Sequence, residues 1–303
     1  MKKLPMLFLS CLLFPLALQG KGKVIIDTDP AIGYPFRDVD DGLAMAIGLN
    51  SPELEIVGIT TIYGNHTQDK TYQKAQELIK EARSEVKVYR GADRAGDYQE
   101  TPASKFIKES ALTSPGEITI IAIGPLTNLA SAIKSDPKVG GSIKAVISMG
   151  GALEARLLGL APGVFDLNWG SDPEATRIVI ESVPEFVMIS TDLCMEVVFT
   201  KEKYQQLKSA PFLADYLSKN VRPWLSFNEL FFQTDQGRGF FPWDTLAVIY
   251  LLDPSVFTPN PLQIQIQDRN GMGIKIETGK GTKINAPLEL DREKFWALFF
   301  QRI

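Results

Sequence analysis

Four aspartates near the start of the chain have the types and spacing that could bind a cation. Asp27 and Asp29 alternate at the end of an apolar, β-branched run, and Asp40 and Asp41 immediately precede a helical pattern that continues from Gly42. Ligands of parallel sheets bind at the carboxyl ends of the strands. Four carboxylates at such an end repel one another unless a cation neutralises them, so the pattern predicts either a metal ion or raised pKa values.

The donor chemistry of this cluster favours a hard cation. All of its side chains are oxygen donors, which suit Ca²⁺ or Mg²⁺, whereas zinc favours His and Cys. After residue 20 the chain has one residue of each of those two kinds, His66 and Cys194. Helix capping explains Asp40 or Asp41 when each is considered alone. The metal interpretation therefore depends on the four aspartates together.

Further polar residues lie at the ends of other predicted elements. Asp244 opens an apolar helical pattern and is either an N-cap or an additional ligand. Asn65 follows Gly64 after a β-branched run and belongs either to a turn or to a ligand contact. Asp166 and Asn168 are two residues apart, so they would share one side of the chain if it were extended.

The elements that must position these residues alternate along the chain. Short apolar runs predict strands at residues 23–27, 56–62, 86–89, 118–123, 145–149 and 186–190. Amphipathic stretches predict helices at residues 41–49, 67–82, 126–134, 173–182, 244–251 and 292–301. Strands that alternate with helices indicate an α/β fold, with an open, mostly parallel sheet and helices on both faces.

The C-terminal part departs from this alternation. Residues 201–232 have a helical and aromatic pattern, and residues 264–267 and 274–276 predict a late hairpin around Asn270-Gly271. Pro and Gly are scattered as turns, with no linker and no repeat. We therefore expect residues 21–303 to form a single domain, which is within the size range of large α/β domains.

The first 20 residues predict a signal peptide, since a charged start precedes an apolar run at residues 4–18 and a small-residue exit. The run is shorter than the roughly 20 residues that span a bilayer. We therefore expect an exported, periplasmic or secreted protein without a membrane segment after the leader is removed. Cys194 is then the only cysteine, which excludes an intramolecular disulfide. The formal net charge of −4 argues against nucleic acid as a partner but not against a small neutral ligand.

Several short motifs, in this order along the chain, are similar to those of the inosine/uridine-preferring nucleoside hydrolase family. They are residues 26–30 with Asp40 and Asp41, residues 61–65, residues 123–130, residues 149–151, and residues 166–168 with 172–175. The likeness covers essentially the whole chain after the leader. It implies the family's α/β fold and hydrolysis of the N-glycosidic bond of ribonucleosides to free base and ribose.

The resemblance also implies roles for individual residues. A Ca²⁺ that binds the 2′ and 3′ hydroxyls of ribose would be held by Asp29, Asp41, Asp244 and the backbone carbonyl of Ile123. Asp29 would also be the general base, and Asp27 would support the site from behind. The sugar hydroxyls would be bound by Asp40, Asn65, Asp166 and Asn168. Members of the family often form homodimers or homotetramers, so the resemblance allows either assembly, while the sequence itself is silent on the oligomeric state.

The chain departs from the family's pattern at three places. Residues 31–39 are an insertion where the family has a shorter turn, which makes Asp38 a competitor of Asp41 for the cation. Trp243 stands where a histidine that protonates the leaving base is often found. Its ring could instead stack on the base, a contact worth about 1–3 kcal/mol. Leu160 stands where an asparagine commonly contacts the sugar.

Without that histidine, the sequence leaves several candidates for the group that protonates the leaving base. The candidates in the aromatic segment are Asn228, Glu229, Gln233 and Asp235. His66 is the single histidine of the chain, and we expect it to lie at the surface rather than at the site.

Two other functions also fit parts of the pattern. A haloacid-dehalogenase-type phosphatase has Asp-x-Asp at a strand end, but it leaves Asp40 and Asp41 unexplained and needs a lysine that is not evident. A protein that binds nucleoside or sugar with calcium, without hydrolysis, is suggested by Trp243 and the insertion. Release of free base from nucleosides distinguishes the hydrolase from both.

Overall fold

Twelve strands and eleven helices form within the residues that the computed structural model describes, which are 22–156, 160–163, 166–269 and 273–303. The strands are β1 (Gly22–Thr28), β2 (Leu54–Thr61), β3 (Val88–Arg90), β4 (Ile118–Ala122), β5 (Ala145–Met149), β6 (Phe186–Ile189), β7 (Phe199–Thr200), β8 (Gln233–Thr234), β9 (Gly237–Phe240), β10 (Pro261–Asp268), β11 (Ile274–Thr278) and β12 (Thr282–Asn285). The helices are α1 (Asp40–Leu49), α2 (Gln68–Glu81), α3 (Pro102–Thr113), α4 (Thr127–Ser135), α5 (Lys138–Ser142), α6 (Pro173–Ser182), α7 (Thr191–Cys194), α8 (Lys201–Leu207), α9 (Ala214–Asn228), α10 (Thr245–Leu252) and α11 (Arg292–Gln301).

Nine of these strands form one sheet, in the order β11-β10-β12-β6-β5-β4-β1-β2-β3. From β12 to β3 every pairing is parallel, whereas β10 is antiparallel to both β11 and β12. Because parallel strands end at the same edge of a sheet, the residues that follow β1, β4 and β5 come together there. Strands β7, β9 and β8 form a second, antiparallel sheet.

Helices cover both faces of the large sheet because the side chains of β1 alternate between them. Val24 and Ile26 belong to a core cluster that includes residues of α1 and α10, whereas Ile25 belongs to a cluster with residues of α3, α4 and α6. All three side chains are fully buried. A parallel strand that is buried on both faces is a continuous apolar run. The predicted α/β fold with helices on both faces is confirmed.

The six predicted strands and the six predicted helices are all present, with ends that differ by at most two residues. Helix α3 was not predicted, although Thr101 and Ser104 form a capping box at its start. Strand β12 was not predicted either, because it has four residues and one buried side chain, Ile284. The late β10–β11 hairpin is confirmed, while its expected turn at residues 270–271 and the expected leader at residues 1–20 lie outside the described residues.

The aromatic segment at residues 201–232 contains α8 and α9, as its helical pattern predicts. Helix α9 packs against β9 of the small sheet and continues through Pro223 to Asn228. With 15 residues it is the longest helix of the described chain. None of the helices there has both the length and the apolar character that crossing a bilayer requires.

Candidate active site

A cavity of about 490 Å³ lies at the carboxyl ends of β1, β4 and β5. The nine residues that the sequence analysis placed in the site all lie on its surface: Asp29, Asp40, Asp41, Asn65, Ile123, Asp166, Asn168, Trp243 and Asp244. They come from segments that are up to about 200 residues apart in the chain. The fold therefore brings them to one surface.

Four buried carboxylates, Asp29, Asp40, Asp41 and Asp244, form what we call the carboxylate floor of the cavity. Asp40, Asp41 and Asp244 each offer an oxygen, and these three atoms lie within 4.8 Å of one another. Asp29 adjoins them, since its N–H donates to Asp41 Oδ1 at 3.0 Å. Among the described residues, no Lys, Arg or His forms an ion pair with any of the four. Such a set of oxygens fits a hard cation.

Burial and mutual repulsion raise the pKa values of the floor. Burial, followed by the charge of Asp40, raises the pKa of Asp41 to about 7. The pKa of Asp29 rises well above its ordinary value because of burial and then the charge of Asp41. The pKa of Asp244 rises well above its ordinary value because of burial and then the charge of Asp40. Bound protons or a cation would therefore relieve the repulsion among the floor carboxylates.

Backbone groups hold Asp29 at the end of β1. Its Oδ2 accepts a hydrogen bond from Asn65 N at 2.5 Å. Gly64 makes this approach possible, because a Cβ at that residue would lie 2.0 Å from Asp29 Oδ2. Asn65 is thus fixed beside Asp29 through its backbone, and no hydrogen bond within the described chain engages its side chain.

The other floor carboxylates face one another rather than capping their helices. Asp244 occupies the N-cap position of α10, but its side chain accepts no capping hydrogen bond. Asp41 Oδ1 accepts hydrogen bonds from the Thr28 hydroxyl and from Asp29 N, which join the start of α1 to the end of β1. Asp40 Oδ2 accepts a hydrogen bond from Asp244 N at 3.1 Å, which joins α1 to α10.

Asp27 lies behind the floor and does not line the cavity. Its Oδ1 accepts hydrogen bonds from Thr60 Oγ1 at 2.6 Å and from Asn128 Nδ2 at 2.8 Å. Its Oδ2 has no partner within the described chain. Burial raises the pKa of Asp27 to about 7. It therefore ties β1 to β2 and α4 beneath the site.

Asp166 and Asn168 lie on one side of the cavity, in a loop that bends rather than extends. The Asp166 carboxylate accepts hydrogen bonds from Gly151 N at 2.6 Å, Asn168 N at 3.0 Å and Trp169 N at 2.9 Å. Asn168 Nδ2 donates to Met149 O at 3.1 Å. The hydrogen bonds to Asp166 thus fix the conformation of the loop, and the amide oxygen of Asn168 remains available to a ligand.

Six aromatic side chains form what we call the aromatic wall of the cavity: Trp224, Phe227, Phe231, Phe232, Phe241 and Trp243. The rings contact one another in two groups of three, with 4.8 Å between the centroids of Phe241 and Trp243 in one group and 4.9 Å between those of Phe227 and Phe231 in the other. Their neighbour Asn228 is buried and also lines the cavity, and its Nδ2 donates to Trp224 O at 2.9 Å. The wall is thus mostly apolar, and its polar groups are the indole N–H groups of its two tryptophans, with the Asn228 amide beside them.

The insertion at residues 31–39 contacts the aromatic wall through Phe36 and lines the cavity beside the floor through Asp38. Phe36 is 74% exposed, and its ring lies 5.3 Å from the ring of Phe227 in the wall. Asp38 lines the cavity beside the floor, and burial raises its pKa to about 6. Burial, followed by the charge of Asp38, raises the pKa of Asp40 well above its ordinary value. Asp38 is therefore a further carboxylate beside the floor, but Asp41 and not its competitor Asp38 belongs to the three carboxylates whose oxygens lie within 4.8 Å of one another.

The structure separates the candidates for the leaving-group contact. Asn228 lines the cavity, whereas the other three, Glu229, Gln233 and Asp235, do not. His66 and Leu160 do not line it either. Thr191, at the start of α7, lines the cavity without having been predicted, because an ordinary helix start after β6 is the only signal in its sequence.

Known proteins resemble this chain over most of its length. A family model described as inosine-uridine preferring nucleoside hydrolase matches residues 24–297. The chain is 29% identical over 273 residues to "Probable uridine nucleosidase 2" of Arabidopsis thaliana, covering 80% of this chain and 81% of that protein. It is 31% identical over 271 residues to "Probable uridine nucleosidase 1" of Oryza sativa subsp. japonica, with coverages of 78% and 79%. The structure of a purine-preferring ribonucleoside hydrolase from Gardnerella vaginalis superimposes with a TM-score of 0.80 at 23% identity, covering 92% of this chain and 97% of that one, which shows a shared fold.

Proposed function

This chain belongs to the inosine-uridine preferring nucleoside hydrolase family, and from that premise we propose that it hydrolyses the N-glycosidic bond of ribonucleosides with the help of a bound Ca²⁺. Water is the second substrate, and the products are the free base and ribose. Membership of this enzyme family favours the hydrolase over the phosphatase and over the non-catalytic binding protein.

The carboxylate floor is the observation that carries the calcium proposal. Its oxygens are buried and crowded, and they lack a basic partner in the described chain. Ca²⁺ accepts about 6–8 oxygen ligands in a flexible arrangement, whereas Mg²⁺ demands a near-ideal octahedron and keeps several waters. The ligands that the family resemblance implies are Asp29, Asp41, Asp244 and the carbonyl of Ile123, and Asp40, the third member of the observed oxygen group, is proposed to bind the sugar beside them. When bound, the cation supplies a positive charge that anchors the ribose diol and lowers the pKa of water.

Asp29 is proposed as the general base. Its Oδ2 accepts a hydrogen bond from Asn65 N. The other lone pairs of the carboxylate remain available to accept a proton from a water molecule in the cavity. As that proton moves to Asp29, the water oxygen bonds to C1′ of the ribose. The bond between C1′ and the base nitrogen breaks, and its electron pair leaves with the base.

The negative charge of the floor suits the transition state of this reaction. Positive charge develops on the sugar ring as the glycosidic bond breaks, as it does in glycosidases. Oxygens that are fixed in advance stabilise such charge without reorganising. Here the fixing bonds come from Asn65 N to Asp29, and from Thr28 and Asp29 to Asp41.

The sugar hydroxyls are proposed to be bound by Asp40, Asn65, Asp166 and Asn168. Asn168 can accept a hydrogen bond through its amide oxygen, because its Nδ2 is engaged by Met149 O. A carboxylate has about four lone-pair sites, and Asp166 already uses three of them for backbone N–H groups. We therefore expect Asp166 to contribute at most one bond to the sugar.

Trp243 and the rest of the aromatic wall are proposed to bind the base. Stacking on an aromatic side chain tolerates different bases, since every base has a π face. Asn228 lines the cavity beside the wall and its Nδ2 is engaged by Trp224 O, so we expect its amide to contact the edge of the leaving base. An amide cannot act as a strong acid, which makes good leaving groups the better substrates.

The test is an assay of purified protein with a panel of purine and pyrimidine ribonucleosides. We expect free base and ribose to appear with Ca²⁺, to disappear after exhaustive chelation, and to return when Ca²⁺ is added back. A parallel arm with Mg²⁺ distinguishes the two cations. Full activity after chelation would contradict the metal proposal, and no base release from any nucleoside with Ca²⁺ present would contradict hydrolysis itself.

A further inference from the structure

We propose that Asp192, which lies outside the cavity, is a positioning residue for sugar binding. It would act through the loop between β5 and α6 that carries Asp166 and Asn168. This inference rests on the proposed function, in which those two residues bind the ribose. It adds a residue from α7 to the set that determines how well the sugar is held.

The Asp192 carboxylate accepts hydrogen bonds from three consecutive backbone N–H groups after β5. Oδ2 accepts from Leu153 N at 2.7 Å, and Oδ1 accepts from Glu154 N at 2.8 Å and from Ala155 N at 2.7 Å. Hydrogen bonds to an ionised acceptor are about twice as strong as those between neutral groups. A single side chain thus holds this turn of the loop.

The corner from which Asp192 acts is itself rigid. Ser190 follows β6, is fully buried, and accepts a hydrogen bond on its hydroxyl from Leu193 N at 3.1 Å, which caps α7. Thr191 N donates to Gly151 O at 2.8 Å. The β6–α7 corner therefore holds the loop at two places, Gly151 and the turn at residues 153–155.

Gly151 connects this corner to the sugar-binding residues. Its carbonyl accepts from Thr191 N, and its own N–H donates to Asp166 Oδ2 at 2.6 Å. The other carboxylate oxygen of Asp166 accepts from Asn168 N at 3.0 Å. A series of hydrogen bonds therefore runs from the backbone of Thr191, next to Asp192, through Gly151 and Asp166 to Asn168 at the cavity surface, and Asp192 holds the residues that directly follow Gly151 and Ala152 in the chain.

Apart from the packing of Leu153 against the core, the hydrogen bonds to Asp192 are the contacts that hold this part of the loop. Residues 153–155 belong to no helix or strand, and their N–H groups make no backbone hydrogen bond within the described chain. Binding residues on loops depend on the scaffold that positions them. A misplacement of about 1 Å can reduce a rate by as much as roughly 100-fold. Removing Asp192 would leave the three N–H groups to solvent and loosen one end of the loop.

A role in sugar positioning differs from general stabilisation in what it changes. Asp192 does not line the cavity and is not among the carboxylates that could hold a metal ion, so its loss should weaken sugar binding and leave cation binding unaltered. Asp291 offers a matched control, because its side chain accepts hydrogen bonds from Glu293 N and Lys294 N at the start of α11.

The test compares Asp192→Ala, Asp192→Asn and Asp291→Ala in the full-length, calcium-loaded protein. We expect Asp192→Ala to lower kcat/KM for a ribonucleoside by roughly 10–100-fold, mainly through KM, and to lower the affinity for free ribose in parallel. The affinity for Ca²⁺ should stay at the wild-type value. Asp192→Asn should lose less, since its amide oxygen can still accept from residues 154 and 155. Asp291→Ala should keep wild-type kinetics.

A double-mutant cycle tests the route through Asn168. If Asp192 acts through that residue, the effect of Asp192→Ala should shrink when Asn168 is already alanine. Equal losses in both backgrounds, unchanged ribose affinity in folded Asp192→Ala or Asp192→Asn, or a parallel fall in Ca²⁺ affinity would each overturn the inference. A wild-type protein that binds ribose and releases no base contradicts the proposed function instead, and the ribose affinities of the variants still decide the role of Asp192.

Discussion

The carboxylate floor and the aromatic wall of the cavity are held by opposite kinds of interaction. In the floor, Asp29, Asp40 and Asp41 each accept a directional hydrogen bond from a backbone N–H group. In the wall, rings contact one another at centroid separations of 4.8–5.8 Å, and Phe231 is 61% exposed. The floor is polar, buried and internally repulsive, whereas the wall is apolar and partly open.

This difference indicates what each region contributes to function. Directional hydrogen bonds fix the floor oxygens in one arrangement. The repulsion among these carboxylates is unfavourable, and a bound cation would neutralise it. Apolar contacts of the wall tolerate exchanges of similar volume, and stacking accepts any base. We therefore infer that the floor determines the reaction on the ribose, and that the wall determines which base is accepted.

Asp29→Asn should have the largest effect, because it removes the proposed proton acceptor and keeps an oxygen for Asn65 N. Loss of general-base catalysis typically costs about 10²–10⁴-fold in rate. We expect a decrease in kcat of that size, measured with saturating nucleoside and saturating Ca²⁺. The decrease should be the same for purine and pyrimidine nucleosides, because the floor acts on the ribose that they share.

Calcium affinity of Asp29→Asn must be measured beside the kinetics, since Asp29 is also a proposed ligand. A loss of activity that excess Ca²⁺ restores would assign Asp29 to the metal alone. A loss of activity that differs strongly between purine and pyrimidine nucleosides would contradict the inference that the floor acts only on the ribose and the wall determines which base is accepted.

Trp243→Ala should have an intermediate effect that depends on the base. Stacking of a base on an aromatic side chain is worth about 1–3 kcal/mol, which is roughly tenfold to a hundredfold in kcat/KM. Because a purine presents two rings, the loss should be greater for purine than for pyrimidine nucleosides. The measurement is kcat/KM for one nucleoside of each kind.

Trp243→Phe keeps an aromatic face and serves as the matched control, so it should lose less than Trp243→Ala with both nucleosides. If Trp243→Ala slowed both nucleosides to the same extent, the ring would have a structural role, and the wall would not determine base preference.

The pH dependence of stability should show the smallest effect, a change of several degrees in Tm. Folding raises the pKa of Asp41 from 3.8 to about 7, so the folded state binds more protons than the unfolded state between these values. The free energy of unfolding therefore falls as pH rises from about 4 to 7. For a protein of this size, about 1 kcal/mol shifts Tm by roughly 2–4 °C.

Thermal unfolding of the metal-free protein at pH 5 and pH 8 checks this prediction. We expect a higher Tm at pH 5, and a larger stabilisation by Ca²⁺ at pH 8, where protons no longer compete for the carboxylates. In Asp41→Asn the difference between the two pH values should diminish. A metal-free protein that is more stable at pH 8, with an unchanged slope in Asp41→Asn, would show that the floor is not under repulsion.

Much of the fold could be predicted from local pattern. The apolar run before Asp27 predicts a strand because a parallel strand buried on both faces has a nearly continuous apolar sequence. Strand β12 could not be predicted, since it has four residues with one buried side chain, and its pairing with β10 and β6 supplies its order. In the site, Asn228 could have been separated from Glu229, because Trp224, Phe227, Asn228 and Phe231 have the spacing of one helix face.

Asp192 illustrates what local pattern does not contain. In the sequence it resembles an ordinary acidic residue in the first turn of a helix. Its hydrogen-bond partners lie 37 to 39 residues earlier in the chain. Only the pairing of β5 with β6 brings these two segments together.

The sequence by itself determined that acidic residues would collect at the ends of parallel strands, because strand ends and helix starts follow from short-range patterns of apolar side chains. Only the tertiary structure decided which way those side chains face. In the sequence, Asp40 and Asp244 can each be interpreted as an N-cap or as a ligand. The two roles differ in whether the carboxylate oxygens turn toward their own helix or toward each other. That choice depends on contacts across about 200 residues of chain, which no local pattern encodes.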